Sequence, residues 1–242
     1  MNIRRALYLP LVLSSLAFAM TLALPATAAE NDPTAVAPPS VNISFKPPLR
    51  GAPKMRVGGG VRGADTQEVA LDVLAPESAG LTTAASPTIY WFLSDTVQES
   101  VEIAITDTRS IQDAAKPVLD IQIPGPVQPG VHAVDLSKHG VTLIPGVEYQ
   151  WFVAVVVDPA QRSKDVLAGG AIIRSEDAAL GAGAADATAL AEAGIWYDAV
   201  DDLSRRIESN PGDGESRALR AALLEQVGLE DGAAYDRAQL GG

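Results

Sequence analysis

The sequence predicts an immunoglobulin-like antiparallel β-sandwich, followed by a small C-terminal unit in which an α-helical hairpin is extended to three helices. Between residues 65 and 174, short apolar runs alternate with polar residues and are separated by turn residues, a pattern typical of antiparallel sandwiches. After residue 188 the apolar residues recur with helical spacing. This last part also repeats itself at a period of 34 residues, which is the period of tetratricopeptide helix pairs.

Residues 1–29 have the pattern of a secretory signal peptide. Two arginines precede an uncharged stretch from Ala6 to Leu24, and the small residues that follow supply a cleavage point after Ala28 or Ala29. A retained anchor helix is the alternative, because the stretch is long enough to span a bilayer. We expect cleavage, a periplasmic or secreted location, and no membrane span after cleavage.

Residues 30–64 are predicted to form a proline- and glycine-rich basic arm, with two acids against five bases. The prolines interrupt helices and remove strand donors. The cations of the arm could be solvated, lie against an acidic face of the protein's own body, or meet an acidic cell-wall polymer. Gly58–Gly63 matches G-x-G-x-x-G, but no buried strand precedes it and no helix follows it. We therefore expect tight turns there and no nucleotide site.

The predicted sandwich domain spans residues 65–174. In strands such as Val101–Thr106, alternate residues are apolar, which indicates one buried and one wet face. Residues 75–87 are predicted to form a loop, and residues 107–117 a loop or a short helical turn. The seven candidate strands are Glu68–Leu74, Thr88–Leu93, Val101–Thr106, Val118–Ile123, Val131–Leu136, Glu148–Val157 and Val166–Arg174.

A linker over 175–187, a tetratricopeptide-like unit over 188–236 and a frayed tail over 237–242 complete the predicted domain order. Gly194 is predicted to form the tight turn between the paired helices, Pro211 the turn that closes the first unit, and Gly228 the turn that ends the third helix. The repeat consists of Leu190, Gly194, Ile195 and Ala199, which recur as Leu224, Gly228, Leu229 and Ala233.

Composition excludes several classes of function. The chain has no cysteine, so disulfides, thiol nucleophiles and cysteine-based metal sites are excluded. The net charge of −12 argues against nucleic-acid binding, because phosphate recognition depends on Lys and Arg.

Candidate catalytic and metal-binding residues are few. Ser137, His139 and Asp135 could be arranged on paper as a triad, but closeness in sequence does not argue for one, and His132 has a strand position. Scattered carboxylates leave a glycosidase pair open in principle. Four aspartates lie near predicted loops where calcium could bind, but they lack the spacing of a calcium loop. The four aspartates near loops are Asp107, Asp113, Asp158 and Asp165. From these observations together we predict no catalytic residue, no cofactor and no metal.

Two aromatic groups, Tyr90–Phe92 and Tyr149–Phe152, place aromatic side chains on both faces of their strands. The outer aromatics either form a sugar-binding platform or are covered by the helical tail through Ile195, Trp196 and Tyr197. We single out four of these aromatics as candidate partner-binding residues: Tyr90, Trp91, Trp196 and Tyr197.

Five segments of the chain together resemble an uncharacterised bacterial family of exported proteins, the domain of unknown function DUF928. The resemblance runs from about residue 45 to about residue 235, and it implies an exported protein with no assigned activity and no catalytic residues to transfer. The segments are Arg56–Gly60, Leu74–Glu77, Gly80–Thr82, Ser86–Phe92 and Gly194–Ala199.

These observations favour a non-enzymatic protein that binds an exported or envelope protein. The alternative is a β-sandwich that binds carbohydrate or cell-wall glycan through exposed aromatics, and a hydrolase is the third class. Nucleic acid is not expected as a partner.

Overall fold

The structure, a computed structural model, describes residues 42–47, 56–62, 68–109, 116–177, 179–180 and 186–241. The predicted signal segment 1–29 and Asp113 lie outside these residues. Residues Pro39–Gly242 form one compact unit that contains every element described below. In the described part of the chain, no helix has both the length and the apolar character to cross a membrane.

The described residues of this unit form nine strands and four α-helices, so the predicted order of sheets followed by helices is confirmed. The prediction of three helices is wrong, because a fourth helix follows Gly228. The strands are β1 Gly59–Arg62, β2 Glu68–Val73, β3 Gly80–Thr82, β4 Thr88–Leu93, β5 Val101–Asp107, β6 Leu119–Ile123, β7 Gly130–Asp135, β8 Glu148–Val155 and β9 Val166–Arg174. The helices are α1 Ala187–Glu192, α2 Trp196–Ser209, α3 Gly214–Glu225 and α4 Glu230–Ala238.

The strands form two sheets. The first sheet has the order β1-β2-β4-β7 and is antiparallel throughout. The second has the order β3-β9-β8-β5-β6 and is mixed, because the short strand β3 runs parallel to β9. One buried cluster contains apolar side chains from both sheets and from the helices, so a common core joins them.

Strand β1 lies within the segment predicted to be an arm. Val57 exchanges two backbone hydrogen bonds with Gly169 of β9, each 2.8 Å long. The next residues pair with β2, so the chain passes from the second sheet to the first. Residues 59–62 are therefore a strand, and the expectation of tight turns over these residues is wrong.

Strand β3 lies within the segment predicted to be a loop. It has three residues and pairs with Ile172–Arg174, about ninety positions away. Such a pairing leaves no local pattern, because parallel partners are joined by long crossovers.

A 3-10 helix at Leu136–His139 ends β7 one residue earlier than predicted. The carboxylate of Asp135 accepts hydrogen bonds from the backbone N–H and the hydroxyl of Ser137, at 2.9 and 2.6 Å. This side chain competes with strand pairing and starts the helical turn.

The helical region is longer than predicted at both ends. Ala187, assigned to the linker, is the first residue of α1, where Asp186 accepts a hydrogen bond from the backbone N–H of Ala189 at 3.0 Å. The predicted frayed tail contains the end of α4 and a 3-10 helix at Gln239–Gly241.

The 34-residue repeat has a structural counterpart. Gly194 and Gly228 have φ angles of 82° and 69°, each between the two helices of a pair. Ile195 donates its backbone N–H to the Leu190 carbonyl at 2.9 Å, and Leu229 donates to Leu224 at 3.1 Å. Equivalent residues thus close the same turn twice. Pro211 lies in the turn between the pairs, after α2 ends at Ser209.

A buried ion pair joins three of the helices. The guanidinium of Arg220 on α3 donates to both carboxylate oxygens of Asp236 on α4, at 2.7 and 2.6 Å. It also donates to the hydroxyl of Ser204 on α2 at 2.9 Å. The Arg220 and Asp236 side chains are 4% and 0% exposed, and such pairs need this degree of hydrogen bonding to offset desolvation.

Candidate functional site

The first turn of α2 joins the helices to the sheets. The indole N–H of Trp196 donates to the Leu74 carbonyl at 2.8 Å. The Tyr197 hydroxyl donates to the Ala171 carbonyl at 3.0 Å and accepts from the indole of Trp151 at 2.9 Å. Because all of these groups are buried, each hydrogen bond satisfies a polar group that would otherwise be costly to bury.

Asp198, the next residue of α2, holds the end of β3. Its carboxylate accepts hydrogen bonds from the Thr82 hydroxyl at 2.5 Å, from the Thr83 backbone N–H at 3.0 Å, and from the Thr83 hydroxyl. An acidic side chain in the first turn of a helix also interacts favourably with the helix dipole. Asp198 therefore stabilises both the start of α2 and its contact with the second sheet.

Gly80 of β3 makes room for this junction. A Cβ atom at this position would lie 2.8 Å from Cε2 of Tyr197, closer than non-bonded carbons approach. The glycine thus permits the Tyr197 ring to lie directly against β3.

A second contact ties the middle of α2 to the outer face of β4. The Tyr90 hydroxyl donates to the Asp201 carboxylate at 2.8 Å, and Arg205 forms an ion pair with the same carboxylate at 2.9 Å. Burial raises the pKa of Asp201, while the hydrogen bond from Tyr90 and the charge of Arg205 oppose that rise. Burial also raises the pKa of Tyr90.

The four aromatics singled out from the sequence are therefore interior residues. Tyr90, Trp91, Trp196 and Tyr197 are all buried, the last two in the junction and Trp91 between the sheets. They cannot form an exposed partner-binding face in this structure. The outer aromatics of the first group, Tyr90 and Phe92, are covered by the helices. In the second group Tyr149 and Trp151 are buried, whereas Phe152 is half-buried and borders a cavity, so the structure shows the covered alternative for the first group alone.

The histidines and their neighbours have structural contacts. His132 stacks on the indole of Trp91, with ring centroids 4.3 Å apart, and one ring nitrogen lies 2.8 Å from the Gln128 carbonyl. Burial lowers the pKa of His132. Asp135 and Ser137 bond to each other at the start of the 3-10 helix, and His139 is exposed.

The described aspartates of the calcium hypothesis each pair with a cation. Asp107 pairs with Arg109 at 2.5 Å, Asp158 with Lys164 at 3.6 Å and Asp165 with Arg162 at 2.7 Å. Over the part of the chain that the structure describes, no three His, Asp or Glu side chains come together in a way that could hold a metal ion.

Residues 43–46 of the predicted arm pack on the helices, whereas Val57 and β1 join the sheets. Phe45 meets the Trp196 ring edge-on, with centroids 4.9 Å apart. The Gln226 side chain accepts from the Phe45 N–H at 2.9 Å and donates to the Ile43 carbonyl at 3.0 Å. Arg56 donates to the Ala75 carbonyl at 3.0 Å and lies near acidic residues of the body. Of the alternatives for the arm's cations, contact with the protein's own body is the one seen for Arg56.

A groove of about 680 Å³ lies beside α2, between the free side of β7 and β6. It is distinct from the junction and combines half-buried apolar side chains with charges of both signs. Residues that line it include Tyr90, Ile121, Ile123, Ala133, Lys138 and Arg205.

A shallower cavity of about 270 Å³ lies on the outer face of the second sheet. There the half-buried ring of Phe152 lies over Gly169, where a Cβ atom would come within 2.4 Å of the ring. Arg162, paired with Glu102 at 2.5 Å, borders the same cavity.

Sequence reasoning missed Asp198, Asp201 and Tyr90's role as a hydrogen-bond donor to α2. Asp198 and Asp201 stand in the first two turns of a helix whose apolar stripe is clear, and their acidic side chains fit the ordinary pattern of a solvated helix face. The only usable signal was the position of Asp198 directly after two bulky aromatics at a helix start.

Comparison with known proteins gives one family match. The model of the family described as Domain of Unknown Function (DUF928) matches residues 57–236, from the bridge to β9 through to α4. No curated protein matches the chain.

Proposed function

This chain belongs to the DUF928 family, and on that premise we propose that it is an exported, non-enzymatic protein that binds another protein of the cell envelope. The signal-like pattern of residues 1–29 supports export. The binding role is supported by one observation above the others: a formed groove next to a helical unit that is tied to the sheets.

The junction supports this proposal because it makes the groove a preorganised surface. Trp196, Tyr197 and Asp198 connect α2 to three separate places in the sheets. A groove whose walls belong to both α2 and the sheets keeps its shape when these contacts hold. Preorganised surfaces lose less conformational entropy when they bind.

Two finer features of the fold belong to the same proposal. We propose that the two sheets form an immunoglobulin-like sandwich, supported by the core that they share. We also propose that the two helix pairs are tetratricopeptide-like, supported by the equivalent turns at Gly194 and Gly228. Two pairs are too few for a free solenoid, so they bury their apolar face on the sheets instead.

Cross-linking in envelope extracts tests the proposal. The full chain, an Ile121→Glu variant of the groove and a Phe152→Ala control on the outer face of the second sheet, away from the groove, are used as bait. We expect the wild type and the control to cross-link the same partner protein, and the groove variant to lose it. Turnover by the wild type of a panel of generic glycosidase, esterase and peptidase substrates would instead show an enzyme.

Glycan binding is the second candidate function, and Phe152 is the observation that favours it. Its ring lies over Gly169, beside Ala104 and Ala154 and next to the Arg162–Glu102 ion pair. Aromatic rings beside charged hydrogen-bonding groups suit sugar faces and hydroxyls. Glycan-array binding that disappears in Phe152→Ala but survives in Ile121→Glu would favour this function over the first.

A further inference from the structure

The two lateral sides of the paired sheets differ. On one side the backbone crosses between the sheets, because Val57 bonds to Gly169 of β9 and the following residues pair with β2. On the other side lie β6 and β7. Among the described residues β6 pairs only with β5 and β7 only with β4, so each has one edge without a strand partner.

The groove beside α2 follows these two edges. Three successive residues of β6, Ile121–Ile123, and three of β7, Ala133–Asp135, line it. Successive side chains of a strand point to opposite faces. A cavity that touches three residues in a row therefore runs along the strand edge, where the backbone donors and acceptors are.

The hydrogen bonds around β7 show which groups face the groove. Leu136 donates its N–H to the Pro87 carbonyl at 3.1 Å, in the direction of β4. The Tyr90 carbonyl accepts from Leu74 at 2.8 Å, on the far side of β4 from its partner Ala133. Since peptide groups alternate between the two edges of a strand, the N–H and C=O of Ala133 point away from β4. The side chain of Ala133 is exposed as well.

We propose that the groove binds an extended segment of a partner protein, which adds as a strand along the free edge of β7. This inference rests on the proposed function and names the form of its partner. Main-chain hydrogen bonds to an unpaired edge give such complexes affinity, and side-chain pockets at alternate positions give them specificity. The length of β7, six residues, sets the length of the bound segment.

The side chains around the groove define the chemistry of that segment. Ile121 and Ile123 are half-buried apolar residues opposite β7, so every second residue of the segment is apolar. On the rim, Arg205 is 67% exposed and is paired with Asp201 at 2.9 Å. Lys138 is 78% exposed and has only a long contact of 3.7 Å with Asp135, and an exposed pair of this kind contributes little and leaves the ammonium group accessible. Because Glu208 shares the rim near Arg205, an acidic residue of the segment belongs at the Lys138 end.

Selection from a random peptide library displayed on phage, against the full chain, supplies the probe. We expect the selected peptides to alternate apolar and polar residues and to carry an acidic residue. Synthetic copies are then N-methylated on alternate residues, in two complementary sets. Methylation of one set removes the donors that face β7 and should weaken binding about tenfold or more, whereas the other set should bind nearly as well as the parent. Equal effects of the two sets would overturn strand addition.

Two variants at one position complete the test. Ala133→Pro removes the edge N–H at a place where proline is tolerated, and Ala133→Val keeps it. We expect Ala133→Pro to weaken peptide binding about tenfold or more and Ala133→Val to leave it nearly unchanged. If Ala133→Pro does not fold by circular dichroism, Ile121→Glu replaces it, with the same loss expected. If the peptides bind the Ala133→Pro and Ile121→Glu variants as tightly as they bind the wild type, the proposal is overturned.

The envelope cross-linking experiment separates the two proposals. A partner that is captured by the wild type and equally by Ala133→Pro would leave the interaction role intact and refute strand addition. No captured partner for the wild type would refute the interaction role itself, whatever the peptides do.

Discussion

At the scale of single residues, Tyr197 shows how the junction is held. Its ring lies against Gly80, and its hydroxyl both donates to a backbone carbonyl and accepts from the Trp151 indole. Trp91, by contrast, has a buried indole N–H for which the described residues offer no hydrogen-bond acceptor. Its stacking on His132 therefore supplies packing but no hydrogen-bond acceptor. Tyr197, in contrast, forms buried hydrogen bonds that connect α2 to the second sheet.

Gly194→Val should destabilise the protein by about 1–2 kcal/mol, because a left-handed backbone conformation is unfavourable for residues with a Cβ atom. Gly194 has a φ of 82°, and valine is branched at Cβ, which adds to the cost. The free energy of unfolding measured by urea titration checks this. Gly212→Ala is the control, since a Cβ there would meet only Asn210 at 3.7 Å. Equal stability of both variants and the wild type would contradict the turn assignment.

Relative to the wild type, the Asp201→Asn variant should become more stable as the pH rises above about 4, which is the pKa of an aspartate in an unfolded chain. Burial raises the pKa of Asp201 in the folded state. The folded wild type thus binds its proton more tightly and loses stability as pH rises through this window. Asparagine does not ionise, and it can still accept the hydrogen bond from Tyr90. Urea titrations at acidic and neutral pH measure the difference.

Asp213→Asn provides the matched control for that pH dependence. Hydrogen bonds from the Ser216 backbone N–H and hydroxyl lower the pKa of Asp213, the N-cap of α3. The wild type therefore loses this contribution as pH falls, and the relative stability of Asp213→Asn should change in the opposite direction. If Asp201→Asn also became relatively less stable toward neutral pH, the ion pair with Arg205 would outweigh burial.

At the scale of elements, the helices depend on one another more than on their own sequences. Arg220 and Asp236 are buried on facing helices, and Ser204 completes their hydrogen bonds from a third. Neither charge is satisfied if its helix forms alone. The three helices therefore form their contacts together, and the buried pair favours one arrangement among them.

Arg220→Met or Asp236→Leu alone should cost about 3–5 kcal/mol, because each breaks the buried pair. After Arg220→Met, Asp236 keeps only its longer contact with Arg217 at 3.4 Å. The double variant should recover most of that loss, since two apolar side chains of similar size replace the pair. Urea titration of the three variants measures this as a double-mutant cycle. In the exposed Arg237–Glu225 pair, a substitution to alanine should cost about 1 kcal/mol or less. Similar costs at both pairs would show that the inner pair is solvated.

At the scale of the whole molecule, the junction makes the sheets and helices one structural unit. Trp196, Tyr197 and Asp198 contact segments from both sheets, and Phe45 of the predicted arm packs on Trp196 of the same helix. The outer aromatic Tyr90 is buried only because α2 lies over it. Neither part buries its apolar surface without the other.

The protein should therefore unfold in one cooperative transition. Far-ultraviolet circular dichroism follows the helices, and tryptophan fluorescence follows Trp91 and Trp151 in the sheets and Trp196 in the junction. The two signals should change at the same urea concentration. The double variant Tyr197→Leu, Asp198→Ala should lower both midpoints together. Two separate transitions in the wild type would show that the helical unit is an independent domain.

The local elements could be predicted from the amino-acid sequence. Period-two alternation predicted seven strands close to their observed bounds, because alternation depends only on one buried and one wet face. The repeat placed turns at Gly194 and Gly228, because a left-handed turn favours glycine wherever it occurs, but it did not predict the helix that follows Gly228. Family membership was also present in local motifs.

Whether the outer faces of the sheets are covered or exposed depends on contacts between segments that are distant in the sequence. The pairing of β3 with β9 joins residues about ninety positions apart, and the passage of β1 between the sheets depends on a bridge from Val57 to Gly169. The local sequence around Tyr90 and Trp196 does not distinguish exposed side chains from side chains covered by another element. Which one holds depends on where α2 docks, and docking is set by contacts between distant segments that no local pattern encodes. The groove along β7 exists for the same reason: a strand edge is free or paired according to its neighbours in space.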